Sequence, residues 1–295
     1  MDFLFFLAEH RTDWLDLFFQ GVTYLGQELF VIAVVCWLYW CSDKKAAFTL
    51  GFSFFTSGLL VQGLKITFRV PRPWDLNPQF QPVASAVKAA TGYSFPSGHT
   101  QSITALMGSL FLFAKRNLFK ALCLIIIALV GFSRMYLGCH TPQDVGAALL
   151  LSGICVYICS RLFSKSDTLK FSIRSISIIM SCICFLLFLY VLFLYYRKEL
   201  PAKYASDCIK ACASGLAFSL GYYIEETHIK FSAPESFSDK IIRFAAGIVV
   251  ALVLQVGLKP VLGTSFTADF IRYFVTVCWI LFLYPFIFQK MQTNH

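Results

Sequence analysis

Residues 175–196 read Ser175-Ile-Ser-Ile-Ile-Met-Ser-Cys-Ile-Cys-Phe-Leu-Leu-Phe-Leu-Tyr-Val-Leu-Phe-Leu-Tyr-Tyr196, with Arg174 before the run and Arg197-Lys198-Glu199 after it. A helix needs about 20 apolar residues to cross the hydrocarbon of a bilayer. This run supplies that length without a charged side chain and is bracketed by charges. Similar runs recur on both sides of it. We expect nine spans, over 26–41, 46–64, 100–114, 118–138, 142–163, 174–196, 205–223, 242–262 and 267–288. The third is short and the seventh is the least apolar. The expected fold is all-α, a polytopic transmembrane helical bundle of about nine spans.

Composition agrees. The chain has 295 residues, of which 58% are hydrophobic and 14% charged, and a mean hydropathy of +0.68. Soluble domains carry about 25% charged residues, so a soluble enzyme, a disordered chain and a secreted disulfide scaffold are excluded. Residues 1–25 differ from the rest. Phe3 to Leu7 is apolar, but Glu9, His10, Arg11, Asp13 and Asp16 follow. That mixture fits an N-terminal interfacial helix rather than a signal peptide. Three regions are expected: 1–25, a core over 26–163, and an additional four-helix region over 164–295.

The net charge of +9 sits in short blocks between apolar runs, which is a membrane-orientation pattern and not a nucleic-acid footprint. With 65–99 outside, the N-terminus falls outside and the C-terminus inside. Lys and Arg then split almost evenly, and the balance improves if Lys65, Arg72 and Arg134 are set aside as functional. Most of the eleven cysteines lie in apolar runs, where they act as small hydrophobes. Cys155/Cys159 and Cys208/Cys212 have i,i+4 spacing, but no His or carboxylate converges on either pair, so no metal site is expected.

Three clusters break the apolar pattern at span boundaries, where ionisable residues are functional candidates by default. The first is Lys65-Ile-Thr-Phe-Arg69-Val-Pro71-Arg72-Pro73. Its prolines stop a helix, and alone it reads equally as a basic helix end reaching head groups. The second is Tyr93-Ser94-Phe95-Pro96-Ser97-Gly98-His99-Thr100. Ser97 suits a helix cap, and the amides that follow suit an anion. The third runs from Ser133-Arg134 through His140-Thr141-Pro142-Gln143-Asp144. Thr141 reads as an N-cap and Pro142 as the first helical residue. Asp144 either completes a capping box or accepts from His140 and fixes its tautomer.

Taken together, Lys-x6-Arg-Pro, Pro-Ser-Gly-His and Ser-Arg-x5-His-x3-Asp resemble the type 2 phosphatidic acid phosphatase superfamily, over about residues 26–163. The resemblance implies a helical bundle whose three motifs meet at the outer membrane face. It further implies hydrolysis of phosphate esters through a phosphohistidine, with no metal and no cofactor. By resemblance His140 is the nucleophile, Asp144 its partner and His99 the general acid. Lys65, Arg72, Ser97, Gly98 and Arg134 are the phosphate-binding set.

The chemistry agrees with those roles. Two arginine forks and a lysine offset charge on the equatorial oxygens of a transferring phosphoryl group. A neutral imidazole attacks phosphorus, and a protonated one neutralises the leaving oxygen. Arg69, off the matched positions, reads as a head-group contact. Trp74, Asp75 and Phe80 open a 74–95 loop that either covers the site or lies at the interface.

A site at the membrane surface favours an amphiphilic substrate such as phosphatidate, phosphatidylglycerol phosphate, a polyprenyl diphosphate or a sphingoid phosphate. The expected partners are that lipid phosphate, membrane lipids and a second copy of the chain, with no nucleic acid. The cell membrane, with the site on its outer face, is the expected location. Two rival readings remain at this point. One is a phosphotransferase passing the phosphoryl group to a lipid or sugar hydroxyl. The other is a transporter, for which Lys210, Glu225 and Glu226 are the residues to inspect.

Overall fold

The computed structural model describes residues 1–87, 90–163 and 171–293. Lys88, Lys165 and Lys170, which entered the charge reading, lie outside the described residues. Among the described residues the regular structure is helical: α1 (Asp2–Glu9), α2 (Asp13–Tyr24), α3 (Glu28–Cys41), α4 (Lys44–Phe68), the short turns α5 (Pro73–Leu76) and α6 (Ala84–Val87), α7 (Gly98–Phe113), α8 (Asn117–Tyr136), α9 (Pro142–Leu162), α10 (Ile173–Tyr196), α11 (Ala202–Ile224), α12 (Phe237–Leu262), α13 (Phe266–Cys278) and α14 (Tyr284–Thr293).

Six helical segments are long and apolar enough to cross a membrane: Lys44–Leu76, Asn117–Tyr136, Pro142–Leu162, Ile173–Tyr196, Phe237–Leu262 and Phe266–Lys290. A seventh is reached if α2 and α3, bent by 42° at their junction, count as one. The expected count of nine is therefore not met. The shortfall falls on 26–41, 100–114 and 205–223. Alone, α3 has 14 residues and α7 has 16, both short of a bilayer. With 23 residues α11 is long enough, but its buried wall is Ala, Cys, Ser and Gly with few large apolar side chains. Such a helix faces protein rather than lipid, and small residues let neighbours approach closely.

The chain forms two compact units. Unit 1 comprises Met1–Ile32 and Phe52–Ser160; unit 2 comprises Ala33–Gly51 and Arg161–His295. In unit 1, α7 is the central element. Its Thr100, Gln101, Ser102, Ile103, Thr104, Ala105 and Leu106 are all buried. Gln101 Nε2 donates to Phe54 O at 3.1 Å and to Ser57 Oγ at 2.8 Å, which joins α7 to α4. Both α1 and α2 pack against α8, so residues 1–25 form two helices that are part of this unit.

In unit 2, α11 is central and packs against α10 and α13. At Gly221 an added Cβ would lie 2.6 Å from Leu281 Cβ, so that approach requires glycine. Two π-helical turns, Glu225–Ile229 and Trp279–Leu283, interrupt the regular ladder. Carbonyls of the second are satisfied from α3, by Tyr39 Oη to Leu281 O at 2.6 Å and Trp40 Nε1 to Ile280 O at 2.9 Å.

Candidate active site

Unit 1 gathers four chain segments into one polar centre: the end of α4 with the turn after it, the start of α7, the end of α8 and the start of α9. Each is positioned by local chemistry. The chain leaves α4 through Arg69, whose φ of 53° is left-handed, and enters Val70-Pro71-Arg72-Pro73, which the prolines hold extended. That directs Arg72 inward, where it is 5% exposed. Its Nε donates to Gly92 O at 3.1 Å and its Nη2 to Thr91 O at 2.7 Å. Its Nη1 reaches both Cys139 O and His140 Nε2 at 2.9 Å.

The last contact decides the chemistry of His140. A guanidinium only donates, so Nε2 presents its lone pair to Arg72 and the ring proton sits on Nδ1. Nδ1 lies 3.6 Å from Asp144 Oδ2, close enough for charge attraction but beyond a hydrogen bond. Asp144 Oδ2 is held from two other directions, accepting from Ser94 Oγ at 2.6 Å and from Thr141 N at 2.8 Å. Asp144 N in turn donates to Thr141 Oγ1 at 3.3 Å. Of the two readings of Asp144 the capping contact is present and a hydrogen bond from His140 is not; the cap holds the carboxylate 3.6 Å from the imidazole.

Arg134, at the end of α8, is fully buried. Its Nη1 donates to Thr23 Oγ1 at 2.8 Å, while Nε and Nη2 have no partner among the described residues. The Nε2 of His99 is likewise buried without a partner. Unpaired donors on a buried guanidinium cost free energy, and an anion accepting from them recovers it.

Ser97 caps α7, accepting from Thr100 N at 3.4 Å and from Thr100 Oγ1 at 2.9 Å. Both contacts use oxygen lone pairs, so its own O–H remains a donor. At Gly98 an added Cβ would meet nothing within 4 Å, so the first turn of α7 is open on that side. Lys65 Nζ donates to Tyr93 O at 2.5 Å, which holds the cation beside the second motif.

The cations set the protonation of both histidines. Burial, reinforced by Arg134, Arg72 and Lys65, holds His99 well below its ordinary 6.5. Burial, then Arg72, Arg134 and Lys65, does the same to His140. Both rings are neutral at pH 7, and the surrounding field favours an anion.

All eight expected site residues lie in this unit. Four supporting residues were not among the expected site residues: Thr23, Ser94, Arg11 and Gly26. Arg11 donates from Nη2 to Tyr136 O at 2.9 Å and from Nη1 to Gln81 O at 2.6 Å, tying α1 and α2 to the 74–95 loop and the end of α8. Gly26 abuts His99, since an added Cβ would lie 2.9 Å from His99 O. Phe80 is buried, edge-on to Phe5 at 5.4 Å, and Trp74 packs on the Phe19–Tyr136 cluster. Phe80 is a core side chain, Trp74 is half-buried and Asp75 is exposed.

All eleven cysteines are free thiols. Among the described residues no three His, Cys, Asp or Glu side chains gather as metal ligands. The charged residues flagged for transport lie in unit 2, where Glu225 pairs with Lys44 and Lys210 lies 3.2 Å from Asp207 Oδ1.

Comparison with known proteins bears on both halves of the chain. The model of the PAP2 superfamily matches residues 46–168, which include the whole polar centre. A second, described as PAP2 superfamily phosphatase, transmembrane extension, matches residues 209–295. The chain belongs to the PAP2 superfamily. Its apolar helices and the matched transmembrane extension make it an integral membrane protein.

This PAP2 chain is 25% identical to lipid phosphate phosphatase delta of Arabidopsis thaliana over 77% of its own length and 56% of the relative's. It is 24% identical to mouse sphingosine-1-phosphate phosphatase 2 over 71% of its length and 59% of the relative's. It is 23% identical to the dihydrosphingosine 1-phosphate phosphatase YSR3 of Saccharomyces cerevisiae, over 51% and 39%. The chain thus spans about half the length of the curated relatives it matches. No solved structure matches it.

Proposed function

We propose that this protein is a membrane phosphatase that releases phosphate from a lipid phosphate monoester through a phosphohistidine on His140, without a metal. The observation that carries the reading is the Arg72–His140 contact, which leaves the Nε2 lone pair in a field of three cations with unpaired donors on Arg134. The phosphate accepts from Arg72, Arg134 and Lys65, and from the Ser97 hydroxyl and the Gly98 amide. His140 Nε2 forms a bond to phosphorus as the bond to the leaving oxygen breaks. Asp144 stabilises the positive ring through Nδ1–H. His99 gives its proton to the leaving lipid oxygen, takes one from the attacking water, and the P–N bond breaks to release inorganic phosphate.

The low pKa of His99 means the proton enters with the substrate: a phosphate dianion beside the ring raises that pKa, or a monoanion delivers the proton. The names of the matched relatives favour a long-chain phosphate monoester, with sphingoid phosphates first among candidates. The lipid form of the substrate, the outer-face site and a cell-membrane location belong to the same proposal.

The test is phosphate release by the detergent-purified full chain from sphingoid phosphate, phosphatidate and glucose 6-phosphate, with EDTA present, beside His140→Ala. EDTA-resistant release that disappears in the variant supports the reading. Release that stops with EDTA, or survives in the variant, overturns it. Added acceptor alcohols yielding phosphorylated alcohol in place of phosphate would identify a transferase.

A further inference from the structure

Unit 2 holds a second group of cations that the phosphohistidine chemistry does not use. The first turns of α11 and α13 and the end of α12 line a cavity of about 280 Å³. Lys203, Lys210, Lys259 and Arg272 stand in its wall against a single lining carboxylate, Asp269.

That carboxylate is consumed in orienting its neighbours. Asp269 Oδ1 accepts from Arg272 Nη2 at 2.5 Å. Its Oδ2 accepts from Ser206 Oγ at 2.5 Å and lies 3.8 Å from Lys210 Nζ. Arg272 is only 7% exposed, and its Nε has no partner among the described residues. A buried guanidinium N–H without an acceptor is costly, and Arg272 is also one of the residues that line the cavity. Two helix starts add to the field. The chain enters α11 behind Pro201 and α13 behind Ser265, and both first turns contribute wall residues, so partial positive charge from each faces the same space. Lys203 and Lys259 are exposed at the rim.

We propose that this cavity binds an anionic phosphate group, either the headgroup phosphate of an anionic phospholipid or free phosphate, at a site that shares no residue with the His140 centre. A lipid headgroup would place its phosphate on Arg272 and the rim lysines. Bound there, it would tie the starts of α11 and α13 to the end of α12.

Native mass spectrometry of the detergent-purified full chain tests this with phosphatidylglycerol, phosphatidylcholine and inorganic phosphate as probes. Wild type is expected to retain phosphatidylglycerol at least fivefold better than phosphatidylcholine. Lys203→Gln/Lys259→Gln removes two rim cations without touching the Asp269–Arg272 pair, so it should fold and lose that preference. Lys115→Gln/Arg116→Gln, two exposed cations elsewhere, should keep it. Arg272→Gln, which removes the orphaned donor itself, should reduce retention further, with thermal unfolding checking its fold. Displacement of the lipid by millimolar inorganic phosphate in wild type assigns the site to phosphate in either form; resistance to displacement assigns it to the headgroup. Equal phosphatidylglycerol retention by wild type, the rim variant and the control overturns the proposal.

Discussion

Thr23 offers a test that no motif would suggest. It sits on α2, fully buried, and its Oγ1 accepts the 2.8 Å bond from Arg134 Nη1. Thr23→Val keeps the shape and removes the acceptor, leaving a guanidinium with Nε, Nη2 and now Nη1 unpaired. A hydrogen bond to a charged group is worth about 1.5–3 kcal/mol. If that free energy serves to hold Arg134 against the transferring phosphoryl group, its loss appears in the transition state. At about 1.4 kcal/mol per decade, kcat/KM should fall roughly 10- to 150-fold. Thr23→Ser retains the oxygen and should stay within about threefold of wild type. The assay is phosphate release under subsaturating lipid phosphate, with thermal unfolding confirming that the variants are folded. A Thr23→Val enzyme within twofold of wild type would refute the argument that α2 positions the phosphate-binding arginine.

Other expectations follow from the same contacts. Ser94→Ala removes one of the donors to Asp144 Oδ2; the freed carboxylate charge should pull harder on His140, lowering kcat and moving the acid limb of its pH profile upward. Because burial and nearby cations hold His99 and His140 low, both rings bind protons more readily unfolded than folded. Thermal stability should therefore fall as pH drops below about 6.5, by roughly 1.4 kcal/mol per pH unit for each ring until its folded pKa is reached, and inorganic phosphate should reduce that loss. Gly138 has a φ of 77°, and a Cβ there would lie 2.9 Å from both Arg11 and Phe80; Gly138→Ala should lower the unfolding temperature and activity together, with at least ~1 kcal/mol from the backbone alone. Lys44→Met leaves the fully buried Glu225 without its cation and should cost about 3–5 kcal/mol, much of it recovered in Lys44→Met/Glu225→Gln.

What was legible in the sequence was the local part of this design. Pro71 and Pro73, Ser97 at the start of α7, and Thr141-Pro142 at the start of α9 are short-range codes that end or begin helices. The cations and histidines they carry were therefore locatable by position. The contributions of Thr23 and Ser94 were not legible: each acts through a partner 111 or 50 residues away, and although Ser94 lies within the Tyr93–Thr100 cluster, nothing in that pattern marks its bond to Asp144.

Two of the three expected spans that fall short, 100–114 and 205–223, do so for a related reason. Hydropathy reads a helix against lipid, but α7 and α11 are wrapped by protein, and there polar and small side chains suffice. Trp74 and Phe80 left the 74–95 loop readable either as a cover for the site or as an interfacial loop for the converse reason: their aromatic character was plain, but the packing that buries Phe80 and half-buries Trp74 was not.

In the proposed reaction His140 Nε2 carries the phosphoryl group. The most direct measurement is to mix the detergent-purified enzyme with 32P-labelled sphingoid phosphate in the presence of EDTA, quench in alkali, and map the labelled residue by mass spectrometry. His99→Ala should be run alongside, because loss of the group that activates water slows breakdown of the intermediate. An alkali-stable, acid-labile label on His140, absent from His140→Ala, is the expected result. Phosphate release without any labelled histidine, or a label on a residue other than His140, would contradict it.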